Sequence, residues 1–162
     1  MTRRRKRLWV GAAFLVTTFV GRPARATDPP ADLCTLLPAA DVSKSLGKTY
    51  GAPEKSVAPR PYANTPEGTD CNYKATGSKL WFRAYVDSSP AQSTELFAKL
   101  GTFYSPQTKL DGLGDEAYFD PEHALHVRKG KVRFYLNLDP VGSAATTENQ
   151  LKDLAGKVIA KL

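Results

Sequence analysis

The chain is poor in the residues on which most catalytic and metal sites depend. Its 162 residues include two cysteines, two histidines and one methionine. No Gly-x-Ser-x-Gly sequence is present, so the nucleophile turn of many serine hydrolases is missing. Two histidines are also fewer than the three protein ligands that a catalytic zinc ion usually has. The sequence therefore predicts no catalytic residues and no cofactor.

Long hydrophobic runs are lacking as well. The apolar run at residues 8–20 is shorter than the ~20 residues that a helix needs to cross a bilayer. A basic block at residues 3–7 precedes this run, and Ala24-Arg25-Ala26 follows it with small residues at the positions that signal peptidase reads. This order predicts that residues 1–26 are a Sec-type signal peptide, cleaved after Ala26, and that the protein is secreted or periplasmic. The alternative is an uncleaved N-terminal anchor, which would be the protein's link to a membrane.

An excess of positive charge is absent from the predicted mature protein, although the whole chain carries a net charge of +7. Seven of the 23 lysines and arginines lie in residues 1–26, which contain no acidic residue. Residues 27–162 therefore carry 16 basic and 16 acidic residues. Because a protein that binds nucleic acid needs a basic surface, the balanced charge excludes nucleic acid as a predicted partner.

The predicted mature protein has the size of one domain. We expect residues 27–33 to form a short tether and residues 34–162 to form the domain. Cys34 and Cys71 are an isolated pair in a chain bound for an oxidising compartment, which predicts one disulfide. The close spacing and neighbouring histidines typical of metal-binding or reactive thiols are missing from both positions.

Hydrophobic periodicity predicts alternating groups of helices and strands. The predicted elements are a helix at 38–46, a strand near 55–58, a hairpin at 71–86, a helix from Ser89 that stops at Gly101, strands at 116–119, 124–128 and 132–138, and a last helix through 151–162 whose start carries a capping box of Thr147 and Gln150. This order of helix, strands, helix, strands and helix predicts a single α+β domain, in which helices pack on an antiparallel sheet.

Three local motifs cover nearly all of residues 32–162. They are Cys34-Thr35-Leu36-Leu37 before a helix that ends at Leu46-Gly47, Cys71-Asn72-Tyr73 at the start of a strand, and Gly112-Leu113-Gly114-Asp115-Glu116-Ala117-Tyr118 before Leu125-His126-Val127-Arg128-Lys129-Gly130-Lys131. In this order they resemble a bacterial family of small exported proteins, many of them lipoproteins, that carry a domain of unknown function. The resemblance implies a cell-envelope domain with a disulfide and no established activity. The lipidated cysteine of many such proteins is missing, because lipidation needs small residues next to the thiol and Cys34 follows Ala31-Asp32-Leu33.

Residues 111–122 are rich in carboxylates and contain no basic residue. Clusters of oxygen ligands favour calcium, but the spacing here is not the alternating Asp/Asn loop that wraps the ion. The pattern therefore predicts a solvated acidic rim, with a metal site at Asp111, Asp115 and Glu116 as the alternative.

The two histidines, His123 and His126, lie three residues apart. On a strand this spacing directs them to opposite faces, and we expect both to be surface residues. A competing hypothesis combines them with residues 111–122 in a small hydrolase or metal-dependent enzyme.

Aromatic and arginine side chains share the far side of two predicted strands. Trp81, Arg83 and Tyr85 alternate with apolar residues on one strand, and Arg133 and Tyr135 do so on a later one. Such residues are enriched where proteins bind partners. Two arrangements remain open: this face binds a cell-envelope component or another exported protein, or a helix covers it. With no catalytic motif present, the sequence favours a non-enzymatic binding module over an enzyme.

Overall fold

One antiparallel sheet of seven strands organises residues 28–105 and 107–162, the residues that this computed structural model describes. The strands are β1 (Glu54–Ala58), β2 (Gly68–Ala75), β3 (Ser78–Val86), β4 (Thr108–Leu110), β5 (Glu116–Phe119), β6 (Leu125–Lys129) and β7 (Val132–Asp139). Their order across the sheet is β1-β2-β3-β7-β6-β5-β4, so β3 and β7 pair near the centre. The predicted signal peptide and its cleavage site after Ala26 lie outside the described residues.

Three α-helices flank this sheet, and they confirm the predicted α+β domain. They are α1 (Ala39–Leu46), α2 (Pro90–Phe103) and α3 (Ala144–Ile159), and a short 3-10 helix at Leu33–Leu36 precedes α1. Helices α1 and α3 pack against each other, and α3 packs on β6 and β7. Within the two described ranges, no helix has the length and apolar content that crossing a membrane requires.

The core lies between one face of the sheet and helices α1 and α3. Leu80 and Phe82 of β3 and Leu136 of β7 are fully buried there. Leu151 and Leu154 of α3 close the same core from the helix side. Because successive strand residues point to opposite faces, the residues between these apolar positions are directed to the other side of the sheet.

The disulfide between Cys34 and Cys71 is present, as predicted, and it joins the 3-10 helix to β2. Both cysteines are buried. The Tyr73 hydroxyl donates a hydrogen bond to the carbonyl oxygen of Leu37 beside the disulfide. The chain ahead of α1 is therefore held to the sheet by the disulfide and by the buried Tyr73 hydroxyl.

Helix α2 is longer than predicted, because Gly101 does not end it. The backbone N–H of Tyr104 still donates to the carbonyl of Leu100, and the helix continues to Phe103. Gly101 is buried, and a Cβ atom at this position would lie 3.1 Å from Oε1 of Gln107. The glycine therefore serves close packing here, and the extra turn brings Phe103 and Tyr104 to the outer face of the sheet.

Helix α3 begins earlier than the predicted capping box. Ser143 is its N-cap, and the side-chain oxygen of Ser143 accepts a hydrogen bond from the backbone N–H of Thr146. Thr147 is buried inside the helix, where its Oγ1 accepts a hydrogen bond from the backbone N–H of Gly142. The capping-box prediction is wrong because Ser143 offers an equally suitable cap one turn earlier.

Candidate ligand-binding cleft

A row of polar and aromatic side chains crosses the outer face of the sheet, opposite to the core. In the observed register Asp70 pairs with Arg83, Arg83 with Tyr135, Tyr135 with His126, and His126 with Tyr118. Directly paired residues project from the same face with Cβ atoms roughly 5 Å apart. The row therefore unites two predicted binding residues, Arg83 and Tyr135, with one of the two histidines.

Helix α2 covers one end of this row and leaves the other end open. The ring of Phe97 in α2 packs 5.1 Å from the ring of Tyr118, and Tyr104 lies 4.9 Å from His126, measured between ring centroids. Trp81 and Arg83 lie towards the open end, and both remain partly exposed. Helix α2 therefore covers one half of the face and leaves the other half partly exposed.

A cleft of about 370 Å³ opens where the covered and open halves meet, which is a suitable volume for a small ligand. Its walls come from the β1–β2 connection, from the C-terminal end of α2 and from the outer face of the sheet. We call it the tyrosine cleft, and its lining residues are Pro59, Arg60, Pro61, Tyr62, Arg83, Tyr85, Leu100, Phe103, Tyr104, His126 and Tyr135.

Two aromatic rings are exposed at the tyrosine cleft. Phe103 is 80% exposed and Tyr62 is 38% exposed, although both are large apolar side chains. Phe103 is supported on one side by the Tyr104 ring, whose centroid lies 5.2 Å away in an edge-to-face arrangement. A single exposed apolar residue is ordinary, but a group of them around a concave site is typical of a binding surface.

Tyr85 holds the wall formed by the β1–β2 connection. Its hydroxyl donates a hydrogen bond to the carbonyl oxygen of Pro59 at 3.0 Å. A Cβ atom on Gly68 would lie 2.6 Å from the Tyr85 ring, so only glycine at position 68 allows the ring to lie against β2. Burial raises the pKa of Tyr85 above its ordinary value, despite the opposing effect of Arg83.

His126 is buried, so the prediction of a surface histidine is wrong at this position. It is 6% exposed and lies among three tyrosine rings. Tyr118 stacks on it at 4.7 Å with the ring planes 12° apart, and the centroids of Tyr104 and Tyr135 lie at 4.9 and 5.2 Å. The physical reason is α2, which lies over this strand, whereas the strand pattern alone does not indicate what covers the outer face.

Asp120 orients His126 from the turn between β5 and β6. Its Oδ2 lies 3.0 Å from Nε2 of His126. Its Oδ1 accepts hydrogen bonds from the backbone N–H groups of Glu122 and Ala124, at 3.1 and 2.8 Å. Asp120 is buried, which corrects the prediction that the whole acidic stretch forms a solvated rim. The sequence signal that was missed is an aspartate at the start of a turn, where its carboxylate bonds to the backbone two residues ahead.

The cations of the tyrosine cleft are paired with carboxylates. Arg83 donates two hydrogen bonds to Asp70, from Nε at 2.6 Å and from Nη2 at 2.9 Å. Arg60 lies 3.4 Å from Glu67 in an exposed ion pair. The positive charge at the cleft is therefore largely neutralised by its own neighbours, so it does not favour a strongly anionic ligand.

Two residues of the predicted binding face do not line the cleft. Arg133 is buried and ion-paired with Asp87, which corrects the prediction that its side chain is free to bind a partner. Trp81 remains partly exposed, with the ammonium group of Lys79 4.0 Å from its ring centroid. Only Arg83, Tyr85 and Tyr135 of the predicted set therefore meet in one site.

Two of the three carboxylates of the alternative metal site, Asp115 and Glu116, are paired with basic groups. Asp115 pairs with Arg128 and Lys129 and accepts a hydrogen bond from the backbone N–H of Gly130, and Glu116 pairs with Arg128. Burial acts to raise the pKa of Asp115, but these hydrogen bonds and charges together hold it below its ordinary value. Across residues 28–105 and 107–162 no group of three His, Cys, Asp or Glu side chains is arranged to hold a metal ion.

The residues of the hypothetical hydrolase are separated in the structure, apart from the Asp120–His126 pair. Asp111, Asp115 and Glu116 line a different depression of about 490 Å³ beside β4 and β5. His123 is partly exposed, and its Nδ1 lies 3.2 Å from Oε1 of Glu148 in α3.

Comparisons of the chain with protein-family models, with curated proteins and with solved structures find no match. The resemblance to a family of small exported proteins therefore stays a prediction, and the tyrosine cleft is the feature from which a function can be inferred.

Proposed function

We propose that the protein is an exported, non-enzymatic binding module and that the tyrosine cleft is its ligand site. One observation carries the proposal: aromatic side chains from three separate segments converge on one open cleft, and Phe103 stands 80% exposed at that cleft. The β1–β2 connection contributes Tyr62, the end of α2 contributes Tyr104, and the sheet contributes Tyr135. The partner is a cell-envelope component or a segment of another exported protein.

The exposed rings support a binding role because apolar surface is more stable out of water. Burying an aromatic side chain of this kind stabilises a complex by roughly 1.5–3 kcal/mol. The Phe103 ring contributes little to the packing of the fold, because most of its surface faces solvent. A ligand seated in the cleft would remove this surface from water without any rearrangement of the core.

The export part of the proposal draws on two further features. The disulfide between Cys34 and Cys71 is of the kind that persists in oxidising compartments. Residues 1–26 carry the order of basic, apolar and small residues that precedes signal-peptidase cleavage. Together they favour a protein that works outside the cytoplasm.

A thermal-unfolding screen of the oxidised protein tests the proposal. The ligand panel contains peptidoglycan fragments, lipids, polyanions, calcium and zinc. A ligand at a hundred times its Kd stabilises the folded state by about 2.7 kcal/mol, which raises the Tm of a domain of this size by roughly 8–12 °C. We expect a shift with a peptidoglycan fragment or a lipid and none with either metal.

Two variants localise the binding. Phe103→Ala should weaken ligand binding at least about tenfold, because the ring is lost from the cleft while the exposed position contributes little to stability. Trp81→Ala is the matched control, since Trp81 is an aromatic residue of the same sheet face outside the cleft. Equal weakening by both variants, or by neither, would reject the tyrosine cleft as the ligand site.

The buried Asp120–His126 pair favours a second candidate, a small hydrolase. A carboxylate that orients an imidazole is the arrangement of a general base, which accelerates attack by water typically about 10²–10⁴-fold. The test is the rate of hydrolysis of a series of p-nitrophenyl esters by the protein and by its His126→Gln variant. A rate that falls at least about a hundredfold in the variant supports this candidate, whereas equal rates reject it.

A further inference from the structure

We infer that the tyrosine cleft recognises a neutral ring compound with an apolar face and an N–H or O–H donor on its edge, and that Nδ1 of His126 accepts the hydrogen bond from that donor. This inference rests on the proposed function, because it names the ligand chemistry of the same cleft.

Asp120 determines which nitrogen of His126 is free. Its Oδ2 lies 3.0 Å from Nε2 of His126, while its Oδ1 already accepts two backbone hydrogen bonds. A carboxylate held in this way accepts a hydrogen bond from Nε2–H, so this contact selects the tautomer of His126 with its proton on Nε2. The other nitrogen, Nδ1, then presents a lone pair and can only accept.

His126 lines the cleft, and Asp120 contacts its Nε2. Within the described residues, His126 makes one hydrogen bond, through Nε2, and no polar contact through Nδ1. The His126 side chain is 7% exposed. Since this side chain is buried and lines the cleft, we place the approach of a ligand donor to Nδ1 on the cleft side.

The surroundings of Nδ1 select the rest of the ligand. Tyr104 and Tyr135 lie beside His126 with ring centroids at 4.9 and 5.2 Å, and they offer flat apolar surfaces. Arg83 is already matched by Asp70, so the site lacks a free positive charge for an anion. The volume of about 370 Å³ accommodates one or two fused rings. The site is therefore complementary to a neutral ring that carries one donor on its edge, whether the ring is aromatic or a sugar.

Three probes and the full oxidised chain test this inference by NMR titration. Indole carries an edge N–H donor, benzofuran has the same shape with an oxygen in place of N–H, and methyl N-acetyl-β-glucosaminide carries hydroxyl donors on a sugar ring. We expect indole to bind about tenfold more tightly than benzofuran, because benzofuran leaves the Nδ1 acceptor unpaired. The ¹⁵N resonance of Nδ1 should shift when indole or the glucosaminide binds. The tighter binder of these two identifies the class of ring.

His126→Gln is the matched variant. The glutamine amide can still donate to Asp120 from the position of Nε2, but it has no group in place of Nδ1. We expect this variant to bind indole and benzofuran with about equal affinity. A shift of Nδ1 in the unmodified protein provides the same test if the variant does not fold.

The outcomes test the role of His126 and the ligand chemistry of the cleft separately. If indole and benzofuran bind equally at the cleft without a shift of Nδ1, the cleft is a ligand site but His126 is not its acceptor, and the inference is overturned. If none of the three probes perturbs resonances of cleft residues, the inference is overturned, whereas the proposed function is decided separately by the ligand screen and the Phe103→Ala variant.

Discussion

At the scale of single residues, two arginine–aspartate pairs share one hydrogen-bond geometry and differ in burial. Arg83 binds Asp70 and Arg133 binds Asp87, each with Nε at 2.6 Å and Nη2 at 2.9 Å from the carboxylate. The side chains of the first pair are 34% and 13% exposed, and those of the second are 3% and 0% exposed. The chain thus contains a natural control for the effect of burial on one ion-pair geometry.

We predict that Arg133→Met lowers the free energy of unfolding by about 3–5 kcal/mol, because it leaves the buried Asp87 carboxylate without a partner. Arg83→Met should lower it by about 1 kcal/mol or less, since solvent reaches the Arg83–Asp70 pair. Urea unfolding measures both values. The double variant Asp87→Asn with Arg133→Met should recover part of the loss. Similar losses in the two single variants would contradict the role assigned to burial.

The burial of His126 could not be predicted from its neighbours in the sequence. The strand period correctly separates Leu125 from His126, and Leu125 faces the core as the pattern indicates. The period says nothing about what covers the outer face. That depended on α2, which is distant in the sequence and continues past Gly101.

At the scale of elements, the strand register assembles the site. Arg83, Tyr135 and His126 lie on β3, β7 and β6, and direct pairing places them side by side. A shift of one residue in either pairing would turn these side chains to the core. The alternation predicted each residue's face, but the pairing of β3 with β7, which are separated by four other elements, could not be obtained from local pattern.

The start of α3 provides a second prediction. Ser143→Ala should destabilise the protein by about 1 kcal/mol, because Ser143 caps the backbone N–H of Thr146. The measurement is the free energy of unfolding in urea. Ser105→Ala is a suitable control, since Ser105 is an exposed serine outside any helix. A change no larger than that of the control would show that the Ser143 cap does not stabilise α3.

At the scale of the whole molecule, the disulfide joins two cysteines that lie 37 residues apart in the sequence, and it holds the segment before α1 to the sheet. We predict that the Cys34→Ala, Cys71→Ala double variant loses about 4 kcal/mol of stability, because the unfolded chain regains the entropy of the open loop. Calorimetry and urea unfolding of the oxidised protein and the variant check this value. The secondary structure of the variant, measured by circular dichroism below its Tm, should match that of the oxidised protein. A loss below about 1 kcal/mol would contradict the prediction.

The buried tyrosines make the fold sensitive to alkaline pH. Burial raises the pKa of Tyr73, Tyr85, Tyr118 and Tyr135 above their ordinary value. Tyrosine in the unfolded chain ionises near pH 10, so the unfolded state releases protons first, and stability falls as the pH rises above about 10. Unfolding in urea between pH 8 and pH 11 measures the decline.

Tyr118→Phe is the matched variant for this pH dependence. Among the described residues the Tyr118 hydroxyl has no hydrogen-bond partner, so its removal breaks no bond. The slope of stability against pH above pH 10 should become less steep. An unchanged slope would show that Tyr118 does not contribute to the alkaline sensitivity.

The sequence by itself determined the α+β class, the disulfide between Cys34 and Cys71, and the side of the sheet to which each residue of β3 and β7 points. Period, composition and cysteine count carry this information, because each depends on neighbouring residues or on a single pair. Only the tertiary structure decided that Asp120 meets His126, that Arg133 is enclosed while Arg83 stays open, and that the end of α2 completes the tyrosine cleft. These outcomes depend on register and on helix placement, which are set by packing among side chains that lie far apart in the chain.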